Sequence, residues 1–302
     1  MKKVSLLVLC ITTLFSGELQ VGKGSMSFTG GMLGLTQSIS EDITSYSLIS
    51  NHSNIGSSKT FYVYNFTWYD SKHMKQLQNI YNTGINQVSN IFSPTILSGT
   101  SIYIPTMDYR LQGLDASISL GYDLIQKDEN NYLGIAGYLG ISTPWISATK
   151  GDDKLPISLP VQTKSNIYKY YKDSKTKIKT YKVGVGLYSR VKFFPSLSGY
   201  LNAIYARQTG SISNDYANSD FHVNGHFTSL DMGVRFQPYG GNFDLGLFSI
   251  SPRVFTTFGY RYNSWSYDDA AINISGMPMI KFPKTTMKID TDIAYLGVGY
   301  SF

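Results

Sequence analysis

Cysteine is almost absent. The chain has one, Cys10, and it lies in a short apolar stretch at the N-terminus. A mature chain beginning beyond that stretch has no cysteine, which excludes a disulfide-stapled fold. Long apolar runs are missing too: none approaches the roughly 20 residues a spanning helix needs. With a mean hydropathy of −0.12, a helical membrane protein is excluded. Charged residues are few, 15% of the chain, which is unusual for a soluble enzyme. The four histidines are His52, His73, His222 and His226. Only His222 and His226 have a metal-ligand spacing, and an i, i+4 pair converges only on a helix. Gly225 and the β-like surroundings argue against one there. No nucleophile elbow, phosphate loop, redox motif, calcium loop or haem signature is present, so no cofactor is expected. The net charge of +6 includes no Lys/Arg cluster on a helix, and nucleic acid is not an expected partner.

Tyrosine and glycine are abundant instead, 24 and 28 residues, against three tryptophans. Tyrosine suits the two interfaces of a membrane-spanning barrel, and glycine suits a crowded lumen. The first residues supply an address. Lys2 and Lys3 precede an apolar core, Val4 to Phe15, and Ser16-Gly17 offers small residues for cleavage. This pattern is a secretory signal peptide, too short to span a bilayer. It divides the chain into residues 1–18, the leader, and 19–302, a single domain. Loss of Lys2 and Lys3 lowers the formal charge from +6 to +4.

The last nine residues, Ala294 to Phe302, alternate strictly. Ala294, Leu296, Val298, Tyr300 and Phe302 share one strand face; Tyr295, Gly297, Gly299 and Ser301 share the other. Ending on an aromatic with a second one two residues earlier resembles the closing strand of Gram-negative outer-membrane β-barrels. The resemblance implies that Leu296, Val298, Tyr300 and Phe302 form the signal read by the barrel assembly machinery. It further implies an outer-membrane location in contact with lipid and lipopolysaccharide.

The same alternation recurs upstream. Tyr62, Tyr64, Phe66 and Trp68 share a lipid face, as do Leu114 to Leu124, Tyr181 to Val191, Leu230 to Phe236 and Val254 to Tyr262 at every second position. Ten strands result, in an up-and-down antiparallel barrel, with eight or twelve as alternatives. Short turns at 127–131, 194–198 and 238–243 fall on one side. The long stretches 71–108, 143–177, 208–224 and 267–284 fall on the other, as outer-membrane barrels require. Thr36 to Asp42 reads as a polar turn before a weak strand at 43–49. Met74, Leu77, Tyr81, Val88 and Ile91 recur at helical spacing. They predict an amphipathic helix over 72–92, either packed on the rim or plugging the lumen.

The inward faces present Asp115, Asp123, Lys182, Arg190, Lys192, Asp231, Arg235, Arg253 and Arg261. In a narrow barrel such charges pair and fill the interior. In an open one the excess of Arg and Lys would favour anions. The expectation is a non-enzymatic outer-membrane barrel, either a narrow pore for small solutes or a structural and surface-interaction barrel. An external partner would meet the loops at 71–108 and 143–177. The alternative is an outer-membrane protease resembling the omptins, with Asp220 orienting His222 as general base. The aspartate pair that family places in the loop corresponding to 71–108 is missing. Asp290-Thr-Asp292 and Asp268-Asp269 are the nearest substitutes.

Overall fold

The computed structural model describes residues 17–32, 35–50, 52–55, 58–71, 107–128, 130–151, 175–214, 220–238, 241–244, 249–251, 253–273, 280–282 and 286–301. Ten long strands form the wall: β1 Gly17–Met32, β2 Leu35–Ser50, β3 Thr60–Ser71, β4 Met107–Asp128 and β5 Asn131–Gly151, then β6 Lys175–Phe194, β7 Leu197–Asn214, β8 Asp220–Phe236, β9 Val254–Asn273 and β10 Thr286–Tyr300. Each pairs antiparallel with its sequence neighbours. The ring closes where β1 pairs β10, from Gly17↔Tyr300 to Gly31↔Thr286. Closure leaves no edge strand, which is the condition for crossing a bilayer with β-structure. Ser53–Asn54 adds a two-residue pairing on β3, and Ile280–Phe282 pairs with the outer end of β9. Phe243–Asp244 and Ser249–Ile250 make a small separate hairpin.

The side-chain alternation accounts for these strands, and its phase changes along each one. Near the end that carries the chain termini, apolar residues point outward. Leu296 and Val298 of β10, Val183 and Val185 of β6, and Ile118 and Leu120 of β4 are among the most exposed large apolar residues. Towards the opposite end the apolar residues turn inward. In β10 Ile289 and Ile293 are buried, whereas Lys288, Asp290 and Asp292 lie on the outer face. The same switch occurs between Ile178 and Tyr181 in β6, between Phe227 and Leu230 in β8, and between Leu111 and Leu114 in β4. Below the switch the outside meets hydrocarbon and the inside is polar. Above it the outside meets water, and the interior is packed as in a soluble protein. The switch therefore marks the outer boundary of the membrane.

This division explains where the strands exceed the sequence expectation. Thr36 to Asp42, expected as a turn, belongs to β2 and pairs residue for residue with Gly31 to Ser25 of β1. Strands also run to Gly151, Asn214 and Asn273, through stretches expected as loops. Outside the bilayer no apolar outer face is required, so the lipid-facing pattern disappears while the backbone ladder continues. The helix expected over 72–92 lies outside the described residues.

The inward glycines of β10 exist for close approach. A Cβ on Gly299 would overlap the Phe255 ring, and one on Gly297 would overlap the Glu18 carboxylate and Thr257 hydroxyl. The alternating glycines at the C-terminus are thus the space into which buried groups of β1 and β9 fit.

The lumen as candidate functional site

Three layers of side chains fill the bore. The central layer is built around Lys182 on β6, which is 1% exposed. Its ammonium donates to Asp115 of β4 and lies 3.9 Å from the Phe227 ring centroid, with the Tyr138 and Trp265 rings at 5.7 and 5.9 Å. Ser142 donates to the same Asp115 oxygen at 3.1 Å and accepts from the Trp265 indole at 2.8 Å. Asp115 and Ser142 are register partners on β4 and β5, so one carboxylate gathers two donors from neighbouring strands. A buried ammonium needs such a carboxylate and cation–π contacts to offset its lost hydration.

The second layer lies nearer the termini and is centred on Arg261 of β9. Its Nη2 donates to Asp231 of β8 at 2.9 Å and to Gln20 of β1 at 2.7 Å, and its Nη1 donates to Ser47 of β2 at 3.1 Å. Tyr295 of β10 donates to the second oxygen of Asp231 and also bonds Tyr200. Glu18 accepts from Thr257 and from Gln20. Arg235 stacks 3.3 Å over Phe255. Arg261 thus joins, through side chains alone, strands that are far apart in sequence and includes the β1–β10 seam.

The third layer closes the mouth beside the short turns. His52, in the β2–β3 connection, lies between Phe61 and Tyr132, with ring centroids at 4.0 and 3.8 Å. Its Nε2 is 3.0 Å from Asp123, which also accepts from Asn54 at 3.0 Å. Arg190 lies 5.4 Å from the Tyr132 ring centroid. Burial pushes the His52 imidazole below its ordinary value of about 6.5, and the bond to Asp123 opposes that shift only in part. Below that pH the unfolded chain takes up a proton that the folded chain resists, so stability falls as the pH drops. Unfolding of the parent followed from pH 7.5 down to pH 5 should show this loss, and His52→Gln should flatten the profile over the same interval. An unchanged slope in the variant would assign the loss to other groups.

Between the first two layers remains a cavity of about 60 Å³, bordered by Tyr69, Ser119, Tyr188, Asn202, Asp231 and Arg261 among others. At about 15 Å³ per water it holds on the order of four. Beyond the central layer, towards the outer end, Leu111, Ile178, Val223 and Ile289 are buried and pack with the polar Ser71, Thr180, Gln208 and Tyr267. Charged groups and apolar packing therefore both lie across the axis.

Of the sequence-derived lumen residues, Asp115, Asp123, Lys182, Asp231, Arg235 and Arg261 stand inside and are grouped in these layers. Arg190 lies against Tyr132, and Lys192 sits at the rim, where its backbone N–H donates to Asn131 at 3.0 Å. Arg253 departs from the expected inward position. It precedes β9 and is exposed, and its carbonyl accepts from Ser301. The reason is that β9 begins one residue later, at Val254. The cage aromatics Tyr138, Phe227 and Trp265, together with Glu18, Gln20 and His52, were not singled out in the sequence. Only their inward parity marks the first three, and nothing local marks His52.

His222 is on the outward face of β8, its Nε2 3.4 Å from Thr209 Oγ1. His226 lies 3.4 Å from Asp268. Asp290 and Asp292 accept from Tyr262 and Tyr260 on the outward face of the β9–β10 pair. Asp220 opens β8 opposite Asn273.

No family model and no curated protein matches the chain. Among solved structures it is similar to the outer membrane protease OmpT of Escherichia coli, with a TM-score of 0.53 and 8% identity over 95% of this chain and 97% of that one. The fold is that of an outer-membrane β-barrel. Looser likenesses are the transport unit of the Escherichia coli autotransporter AIDA-I (TM-score 0.38, 9% identity, 95% and 90% covered) and Ail, the attachment invasion locus protein of Yersinia pestis (0.28, 11%, 95% and 100%). Proteolysis is the activity of the first of these proteins; at 8% identity the likeness is one of architecture. The Gram-negative outer-membrane barrel expected from Ala294 to Phe302 is thus the architecture found.

Proposed function

We propose that the protein is an outer-membrane barrel with a closed lumen, exported by its leader, that acts as a non-enzymatic scaffold. Its function then resides in the stretches expected as external loops, 71–108 and 143–177. The observation that carries this reading is the caged Lys182–Asp115 pair with apolar packing beyond it. A conducting bore needs a continuous polar path; here the polar half of the lumen meets a layer of buried apolar side chains. Phe302 and the outward residues Leu296, Val298 and Tyr300 serve as the insertion signal on this reading, with lipid and the assembly machinery as partners.

The test is conductance of the refolded protein in a planar bilayer. The expected result is no discrete steps in the intact protein and none after deletion of residues 72–92. Anion-preferring steps in the intact protein would replace the scaffold by a narrow pore lined by Lys182, Arg190, Arg235 and Arg261. Peptide cleavage by the purified barrel that is abolished in His222→Ala would replace it by the protease alternative.

A further inference from the structure

The central layer holds an amine and a carboxyl group in contact among aromatic rings. Lys182 stands opposite Gly140 on β5, and Asp115 stands opposite Ser142 on the same strand. The lysine therefore leans over β5 to reach β4. Gly140 makes that crossing possible, because a Cβ there would come within 2.9 Å of Lys182 Cε. Lys182 Nζ meets Asp115 Oδ2, the oxygen one bond from the carboxyl carbon. Ser142 donates to that same oxygen at 3.1 Å and is itself held by the Trp265 indole at 2.8 Å. Both Lys182 and Asp115 are buried, and the cavity next to this layer reaches Asp115.

We propose that Lys182 and Asp115 are the site of an intramolecular isopeptide bond, formed after folding and without an added reagent. The ion pair is the state in which the barrel first folds. A proton passes from the ammonium to the carboxylate and leaves a neutral amine beside a neutral acid, groups that cost less to bury than ions. The amine lone pair then forms a bond to the Asp115 carboxyl carbon. The bond from that carbon to Oδ2 breaks with its electron pair, and Oδ2 leaves as water, carrying two protons that came from the ammonium. One carbon–nitrogen bond replaces one carbon–oxygen bond, and nothing is oxidised or reduced. The Ser142 hydroxyl, donating to Oδ2, polarises the carboxyl group and assists that departure. The cavity at Asp115 receives the water. Free amines and carboxylic acids condense slowly in water, but two groups held in contact gain an effective concentration on the order of 10⁵–10⁸ M. The cross-link joins residues 67 positions apart and ties β4 to β6 across β5.

Intact-mass spectrometry of the full-length barrel, refolded into lipid vesicles and sampled over days, tests the assignment. The expected result is conversion to a species lighter by about 18 Da, one molecule of water. Trypsin should then fail to cut after Lys182 and should release a branched peptide joining the segments around Asp115 and Lys182. Lys182→Arg keeps the positive charge and should stay at full mass. Asp115→Asn should lose about 17 Da instead, because ammonia leaves in place of water. Ser142→Ala should convert several-fold more slowly than the parent, with its gel-mobility shift on boiling showing a folded barrel. The parent held unfolded in urea should not react. A folded parent that keeps its full mass and yields separate Asp115 and Lys182 peptides would overturn the proposal, as would the same mass loss in Lys182→Arg. If that variant does not fold, the branched peptide of the parent decides the matter alone. Ion conductance would count against the closed lumen, whereas only the mass and the peptides bear on the bond. Unfolding measurements on the ion pair belong to the freshly folded barrel, before condensation.

Discussion

Arg261→Ala is expected to lower the stability of the folded barrel by about 4 kcal/mol, the cost of breaking a buried ion pair by removing one partner. The loss is large because of what the guanidinium holds. Among the described residues, Asp231 retains only the Tyr295 hydroxyl as a side-chain donor. Gln20 and Ser47 lose their contacts to β9. The seam between β1 and β10 still has its backbone ladder and β1 keeps the Glu18–Thr257 bond to β9, but the guanidinium tie from β9 to β1 and β2 is gone. Urea unfolding of the protein in lipid vesicles, read by the shift in gel mobility on boiling, measures the change. Arg261→Met/Asp231→Asn should recover a substantial part of it, because the double variant leaves no charge uncompensated. Equal losses in the single and double variants would mean that packing, and not the charge pair, holds this layer.

Lys182→Met should cost about as much, roughly 3–5 kcal/mol, for the same reason at a drier position. The methionine nearly fills the space, so the expected loss comes from Asp115, 4% exposed, left with Ser142 as its remaining side-chain donor. Lys182→Met/Asp115→Leu should regain most of the stability, since an apolar pair of similar volume fits among Tyr138, Phe227 and Trp265. Amide hydrogen exchange on β4 and β6 separates local from global effects. Faster exchange confined to the centre of those strands in the single variant, and its reversal in the double, is the expected pattern. A single variant as stable as the parent would show that the lysine is dispensable to the plug.

Strand number and closure were legible in the sequence where lipid imposes a rule. Leu296 and Val298, or Ile118 and Leu120, stand out because hydrocarbon tolerates only apolar outward side chains, and six such series among the ten expected strands, with short turns on one side, already imply the barrel. The rule lapses above the membrane. Thr36 to Asp42 has no apolar outer face to read, yet it pairs fully with β1. Inward apolar residues such as Ile178, Val223 and Ile289 invert the pattern there, and the inversion itself is visible in the sequence once the strands are known.

The sequence by itself determined that the chain crosses a membrane with strands, which face of six of those strands meets lipid, and that charged residues of both signs point inward. It did so because parity along a strand is a local property. Which charge meets which was decided only by the tertiary structure. Asp115 and Lys182 are 67 positions apart, and Arg261 and Gln20 are 241 apart. Strand stagger and the curvature of a closed wall bring them to one level. The same holds for His52, a polar residue in a turn-like stretch that becomes a buried stack only because Phe61 and Tyr132 flank the mouth. Local alternation tells a side chain to point inward; the depth at which it arrives, and the partner it finds there, follow from closing the ring.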